Sequence, residues 1–297
     1  MSVALAPGDA APRPRYRLRR ALGEAAAVAL GLVLLIWSLM PVYNMLLIAL
    51  DPDEGETEFA GLIWPPEPSL ESFRVVLVGG YWFIEQFWHK FGNSLYIGLM
   101  TMLLTLLIGS LASFALGRTR LRKIRLLASA PLLTYAIPAS FLVIPFYRVM
   151  HAYGLSDTLW AVIAADVTFA APYAILILHQ YAKLIPIELD EAARVDGGSL
   201  VQVYLRIYLP LMAPALAAVG TFALLYAWNE YIYQFLLLSS ERNMTVAVAI
   251  EQFFDADEAP WNYMMATAIV YALPPIAIFY ALRRTMTAGL TFGGVGK

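Results

Sequence analysis

The sequence predicts an all-α integral membrane protein with about six transmembrane helices. Of its 297 residues, 60% are hydrophobic and 14% are charged, whereas soluble domains carry about 25% charged residues. The apolar residues form long stretches of the length that crosses a hydrocarbon core of about 30 Å. The positive charges lie mainly in alternate connecting segments, which is typical of membrane proteins.

Six stretches are long enough and nearly free of charge. They are residues 25–50, 94–117, 126–149, 158–178, 211–238 and 263–282. The first follows a basic segment, as in a signal peptide, but it greatly exceeds the roughly 7–15 residues of a signal core, so we interpret it as a retained helix. The predicted organisation is a cytoplasmic basic segment, residues 1–23, followed by one transmembrane domain, residues 24–297.

The distribution of lysine and arginine predicts that both termini are cytoplasmic. With an inner amino terminus, sixteen of the 20 basic residues fall in inner segments, as the positive-inside rule requires. The outer segments are then approximately residues 51–93, the short stretch around Gly154–Asp157, and approximately residues 239–262. The long inner segment between the fourth and fifth spans covers residues 179–210.

Composition also excludes several kinds of site. The chain has no cysteine, so disulfides, thiol nucleophiles and thiolate metal ligands are absent. His89, His151 and His179 lie far apart without a carboxylate at ligand spacing, so no metal site is predicted. A net charge of −2 does not favour nucleic-acid binding. Because no G-x-x-x-x-G-K-[ST] motif is present, we expect neither ATP hydrolysis nor a catalytic residue or bound cofactor in this chain.

Residues 179–210 are predicted to form two short helices at a sharp angle. Pro186 is suited to open the first helix, and the acidic residues that follow favour its amino-terminal end. Gly197 and Gly198 end it because glycine tolerates positive φ. A second, amphipathic helix covers residues 200–208 and leads into the fifth span. The pattern by itself leaves open whether this elbow docks a soluble partner or is an ordinary interfacial turn.

The elbow carries a spaced motif of EAA, three residues, Gly, nine residues, Ile, one residue and Leu-Pro. Its fixed positions are Glu191, Ala192, Ala193, Gly197, Ile207, Leu209 and Pro210. This pattern resembles the signature loop of bacterial ABC importer permeases, and seven specified residues within 20 positions make the match highly specific.

Further segments are similar to the carbohydrate branch of that family, the G-side subunit of maltose-type permeases. They are Asn93-Ser94-Leu95, Asp190 before EAA, Asp196 before Gly197, Trp228-Asn229-Glu230, Gly289-Leu290-Thr291 and Gly293-Gly294-Val295. The final Gly296-Lys297 departs from the family's ending. The resemblance covers residues of about 20–297.

The resemblance implies a type I ABC importer permease fold in the bacterial cytoplasmic membrane. It implies a homologous second permease subunit, a dimeric ATPase that binds ATP and Mg, an extracytoplasmic solute-binding protein and a sugar substrate of the di- or oligosaccharide class. The motif residues and Asp196 would then form the ATPase-coupling loop, with the first short helix in a cleft of one ATPase subunit.

Two further sets of residues are candidates for contacts outside the coupling loop. Polar and aromatic residues of the fourth and fifth spans are the candidates for a substrate pathway. The alternative is that they pair helices or lie near the membrane interface. These are Asp166, Tyr226, Trp228, Asn229 and Glu230. The resemblance places a binding-protein contact in the third outer segment, at Gln252, Phe253, Phe254 and Asp255.

Other functions remain as alternatives at this point. A proton-coupled secondary transporter would use Asp166 and Glu230, and an ABC permease for a non-sugar solute would share the elbow motif. A membrane-embedded enzyme lacks a clustered metal set or a nucleophile with a nearby base. A receptor or scaffold would leave the spaced motif unexplained.

Overall fold

The computed structural model describes residues 14–52, 63–118, 134–254 and 259–292, and these contain helices and no strand. The long helices are α1 (Pro14–Leu50), α3 (Phe87–Arg118), α5 (Leu159–Ala182), α8 (Leu209–Asn229) and α11 (Trp261–Phe292). The shorter ones are α2 (Glu71–Val78), α4 (Val143–Ala152), α6 (Glu188–Val195), α7 (Leu200–Val203), α9 (Ile232–Leu237) and α10 (Val246–Glu251). Five helical segments in the described ranges are long and apolar enough to cross a membrane. The predicted all-α membrane fold is confirmed.

Helices α3, α5 and α8 form the centre of the bundle, and α11 packs against α8. Small residues permit this close approach. A Cβ atom added at Gly109 of α3 would lie 2.9 Å from the Cβ atom of Ala174 in α5, and one at Gly98 would lie 3.3 Å from Leu224 in α8. Such small-residue contacts replace the hydrophobic driving force that is missing between helices in lipid.

Helix α1 stands apart from this bundle along most of its length. Its side chains from residue 21 to residue 44 are exposed, and those of Leu47, Ile48, Ala49 and Leu50 are buried. Ala49 joins an apolar cluster with residues of α2, α10 and α11, including Val76, Val246 and Met264. The carboxyl-terminal end of α1 is therefore its point of attachment to the rest of the described chain.

The structure differs from the predicted spans at three places. The second span begins at Phe87 rather than residue 94. Of the predicted span 126–149, residues 126–133 lie outside the described residues, and the remainder contains a 3-10 turn, Ala139–Leu142, before α4. Pro138 precedes this turn in an extended conformation with ψ 133°, and proline lacks the N–H that a continuous helix needs.

The predicted fifth span 211–238 is likewise two helices. Helix α8 ends at Asn229, and Glu230 adopts an extended conformation with ψ 125° before α9 begins. The Glu230 carboxylate accepts hydrogen bonds from the backbone N–H groups of Tyr233 and Gln234 at 2.8 and 3.2 Å. Because these N–H groups have no partner within a new helix, the carboxylate stabilises the restart.

Candidate functional site

In the elbow of residues 179–210, the first predicted short helix and the glycine pair that follows it are present. Helix α6 contains three acidic residues in its first turn, and Gly197 follows it with φ +81°. A Cβ atom at Gly198 would lie 2.7 Å from the carbonyl oxygen of Ala193. Ser199 and Gln202 then form a capping box that starts α7. Glycine is thus required twice, once for positive φ and once for space.

The second arm of the elbow is continuous with the fifth span. After α7, the π-helical turn Tyr204–Tyr208 leads directly into α8, so that Leu200–Asn229 is one helical segment of 30 residues. Helical turns of the π type are rare and often lie at functional sites. The hydroxyl groups of Tyr204 and Tyr208 lie 2.7 Å from those of Ser110 and Ser113, respectively, in α3.

An ion pair attaches the first arm to the same helix. The Arg118 guanidinium, at the end of α3, donates two hydrogen bonds to the Asp190 carboxylate, with Nε–Oδ2 and Nη2–Oδ1 distances of 2.6 and 3.0 Å. In the sequence, Arg118 is one of the predicted inner positive charges, and Asp190 is one of the acids at the start of the first elbow helix and the residue before the EAA motif. Their separation of 72 positions carries no pairing signal.

The predicted coupling residues occupy the free side of this elbow. Glu191, Ala192, Asp196, Gly197 and Pro210 are exposed, whereas Ala193, Ile207 and Leu209 are half-buried. An open groove of about 380 Å³ lies between the two arms. It is lined by Ala193, Asp196, Gly197, Gly198, Gln202, Val203, Arg206 and Ile207. The coupling role of these residues stays a prediction.

The five substrate-pathway candidates fall into two groups. Asp166 is buried inside the bundle, and neither of its carboxylate oxygens has a hydrogen-bond partner among the described residues. Tyr226 lies close enough to interact electrostatically with Asp166 and Glu230. The Glu230 carboxylate caps α9. These three side chains are therefore near one another within the bundle.

Trp228 and Asn229 belong to a different surface, an open groove of about 410 Å³ between α8 and α11. The groove is lined by Leu225, Trp228, Asn229, Tyr271, Ala272, Pro275, Ile276, Phe279 and Tyr280. Trp228 stacks on Tyr271 with ring centroids 4.7 Å apart, and Asn229 donates a hydrogen bond to the Leu225 carbonyl oxygen. The role of all five candidates in substrate passage stays a prediction.

The binding-protein candidates also differ in accessibility. Phe253 is fully buried, with its ring 5.0 Å from Phe83 and 5.8 Å from Tyr81. Phe254 is 57% exposed, and Gln252 is half-buried. Asp255 lies outside the described residues.

Buried polar side chains hold the loop that precedes these residues, in the predicted third outer segment. Asn93 donates hydrogen bonds to the carbonyl oxygens of Arg242 and Met244, both at 2.9 Å. The Ser94 hydroxyl accepts one from the N–H of Val246 at 3.1 Å. The Asn93-Ser94 pair therefore attaches the start of α10 to α3, a role that sequence reasoning did not identify.

Asp157 makes a second attachment, from the start of α5. Its Oδ1 atom accepts hydrogen bonds from the N–H groups of Ser239 and Ser240 at 2.9 and 3.0 Å. Burial alone would raise the pKa of Asp157, but the hydrogen bonds from Ser240, Ser239 and Asn243 hold that pKa below its ordinary value of 3.8.

Within the described residues, no group of three or more His, Asp and Glu side chains is arranged to hold a metal ion.

Comparison with known proteins identifies the family. Residues 102–290 match the family described as the binding-protein-dependent transport system inner membrane component. The chain belongs to this family and is a transporter component, a multi-pass protein of the inner membrane.

Two of its relatives are ABC permeases. The inner membrane ABC transporter permease protein YcjP of Escherichia coli is 30% identical, over 89% of this chain and 94% of YcjP. The trehalose transport system permease protein SugB of Mycobacterium tuberculosis is 31% identical, over 87% of this chain and 93% of SugB. A chain of a bacterial ABC transporter that imports alginate has the same fold, with a TM-score of 0.73 and 22% identity over 90% of this chain and 97% of that one.

Proposed function

We propose that this chain is a permease subunit of an ATP-driven sugar importer and forms half of its translocation pathway. Relatives named for trehalose, diacetylchitobiose and arabinooligosaccharides support a sugar of the di- or oligosaccharide class. The observation that carries the proposal is the elbow, which leaves Glu191, Ala192 and Gly197 of the motif exposed while its other side is attached to α3.

The exposed side of α6 suits contact with a soluble partner. Val195 at its tip is 87% exposed, and Leu189 is exposed as well. Exposed apolar side chains on a short polar helix gain free energy when a partner covers them. We propose that this partner is one subunit of a dimeric ATPase, which binds ATP and Mg in place of this chain. A homologous second permease would complete the membrane part.

The outer end of the bundle suits a solute-binding protein. The segment from residue 239 to residue 254 is fixed to α3 and α5 by Asn93, Ser94 and Asp157, so it presents Phe254 from a rigid base. A crystal structure of an alginate ABC transporter contains its periplasmic protein with bound pentasaccharide, which supports the same type of assembly here.

Transport by reconstituted complexes tests the proposal. Vesicles containing this chain, its partner permease and the ATPase, supplied with binding protein and trehalose, should accumulate sugar only when ATP is present. Val195→Glu should abolish uptake because a carboxylate at the tip of α6 must be desolvated on docking. Val78→Glu is the matched control, since Val78 is 77% exposed at the end of the outer helix α2.

The same vesicles test the proton-coupled alternative. That alternative is favoured by Asp166, which is buried and has no hydrogen-bond partner in the part of the chain that the structure describes. A secondary transporter would accumulate solute in response to an imposed proton gradient when the ATPase is omitted. That result would overturn the proposed function, as would full uptake by Val195→Glu.

A further inference from the structure

We propose that Arg118 is a positioning residue that holds the coupling helix α6 on the inner end of α3, so that α3 receives the movement of α6. The proposal rests on the function proposed above. The elbow is covalently continuous with α8. Through Arg118, its movement would also reach α3, a helix that is distant from the elbow in sequence.

Few other contacts hold α6 in place. Of its eight residues, Asp190 is the one that is buried. Beyond its carboxyl-terminal end, Gly197 turns the backbone with a positive φ. With so little buried surface, α6 by itself has few contacts that fix its orientation. The ion pair of Asp190 is therefore the main described contact that fixes it.

The geometry of the Arg118–Asp190 ion pair fixes the orientation of the two side chains. Both of its hydrogen bonds are charge-assisted, and two donors of one guanidinium meet both oxygens of one carboxylate, which fixes orientation as well as distance. The side chains are only 12% and 4% exposed, so water competes little for them. The guanidinium also lies over the rings of Phe114 and Tyr208, at 5.1 and 5.0 Å from their centroids.

The second arm is attached to the same stretch of α3. The Tyr204 hydroxyl pairs with Ser110 and the Tyr208 hydroxyl with Ser113, one turn apart on α3. Phe114 packs edge-on against both tyrosine rings. Residues 110–118 of α3 therefore contact both arms of the elbow. A displacement of the elbow that keeps these contacts must carry the inner end of α3 with it.

Charge reversal in the full complex tests this inference. We would compare Arg118→Ala, Asp190→Ala and the exchanged pair R118D/D190R, measuring trehalose uptake, ATP hydrolysis stimulated by the binding protein, and co-purification of the ATPase. Each single variant should lower the sugar transported per ATP hydrolysed by about tenfold, and the exchanged pair should recover a large part of this loss. Arg74→Ala, which breaks the exposed Arg74–Glu71 pair, is the control and should change nothing.

A distance measurement tests the inference even if the single variants do not assemble into the complex. The chain has no cysteine, so Glu188→Cys and Leu111→Cys place two unique spin labels on α6 and α3, at exposed positions away from the proposed docking tip. The distance between them should be narrowly distributed and constant through the ATP cycle. Arg118→Lys, which keeps the charge but loses the bidentate geometry, should broaden it.

The inference is overturned if the single variants keep the wild-type ratio of transport to hydrolysis, if the exchanged pair is no better than they are, or if the label distance is unaffected by Arg118→Lys. Failure of the proposed function is a different result, because the unmodified complex would then lack ATP-dependent uptake altogether.

Discussion

At the scale of single residues, a few buried polar groups decide where the irregular segments lie. Asp157 has φ +56°, a conformation that asparagine and aspartate tolerate better than most residues. Its carboxylate satisfies two backbone N–H groups of the segment after α9. These two hydrogen bonds attach the start of the predicted third outer segment, residues 239–240, to the residues before α5.

The lowered pKa of Asp157 predicts a dependence of stability on pH. A carboxyl whose folded-state pKa is depressed contributes stability that is complete above its unfolded pKa, and this contribution is lost as the pH falls through the folded pKa. At pH 7, Asp157→Asn should therefore lower the free energy of unfolding by up to about 1 kcal/mol, because water reaches this partly exposed carboxylate and screens its charge. Asparagine retains the tolerance of positive φ, so the backbone is unchanged.

Unfolding in detergent at pH 7 and at a pH below about 4 measures this effect. The difference between wild type and Asp157→Asn should shrink at the lower pH. Glu71→Gln changes an exposed carboxyl and serves as the control. A difference that stays constant over this range would contradict the assignment of the charged carboxylate as the stabilising form.

At the scale of helices, the bundle depends on where small residues meet. Gly109 faces Ala174 and Leu178 of α5, whereas a Cβ atom added at Gly92, on the same helix α3, would have no neighbouring atom within 4 Å. Both are single glycines in an apolar helix. Only their surroundings distinguish them.

This contrast predicts opposite effects of the same substitution. Gly109→Leu should destabilise the protein by about 1–3 kcal/mol, because its side chain would overlap α5. Gly92→Leu should be neutral or slightly stabilising, because it replaces glycine in an open part of a helix. Thermal unfolding of the purified subunit in one detergent provides the comparison. Equal losses would show that α3 and α5 are less closely packed at Gly109 than its short distance to Ala174 indicates.

At the scale of the whole molecule, the two attached regions lie at opposite ends of the same helix. The predicted third outer segment is attached to the start of α3 through Asn93 and Ser94, and the elbow to its end through Arg118. Helix α3 therefore links the proposed binding-protein face to the proposed ATPase face. A rigid helix between two docking surfaces is a direct physical route for coupling them.

At the proposed binding-protein face, the two neighbouring phenylalanines are expected to have different roles. Phe254→Ala should leave stability unchanged but reduce the stimulation of ATP hydrolysis by the binding protein several-fold, since exposed aromatic residues are frequent anchors of interfaces. Phe253→Ala should instead lower stability by about 3–5 kcal/mol, because that ring is buried. Thermal unfolding and ATPase assays of both variants measure these effects. Full stimulation of ATP hydrolysis with Phe254→Ala would exclude Phe254 from the binding-protein contact.

The sequence by itself determined the membrane class, the approximate positions of four long spans, and the two-armed elbow. These depend on composition and on local signals such as Pro186 and Gly197, which act over one or two helical turns. Only the tertiary structure decided that Glu230 ends one helix and caps the next, that Phe253 is buried while Phe254 is not, and that Arg118 meets Asp190. Such outcomes depend on which side chains approach across helices, and a contact over 72 positions leaves no periodicity or spacing in the chain that would predict it.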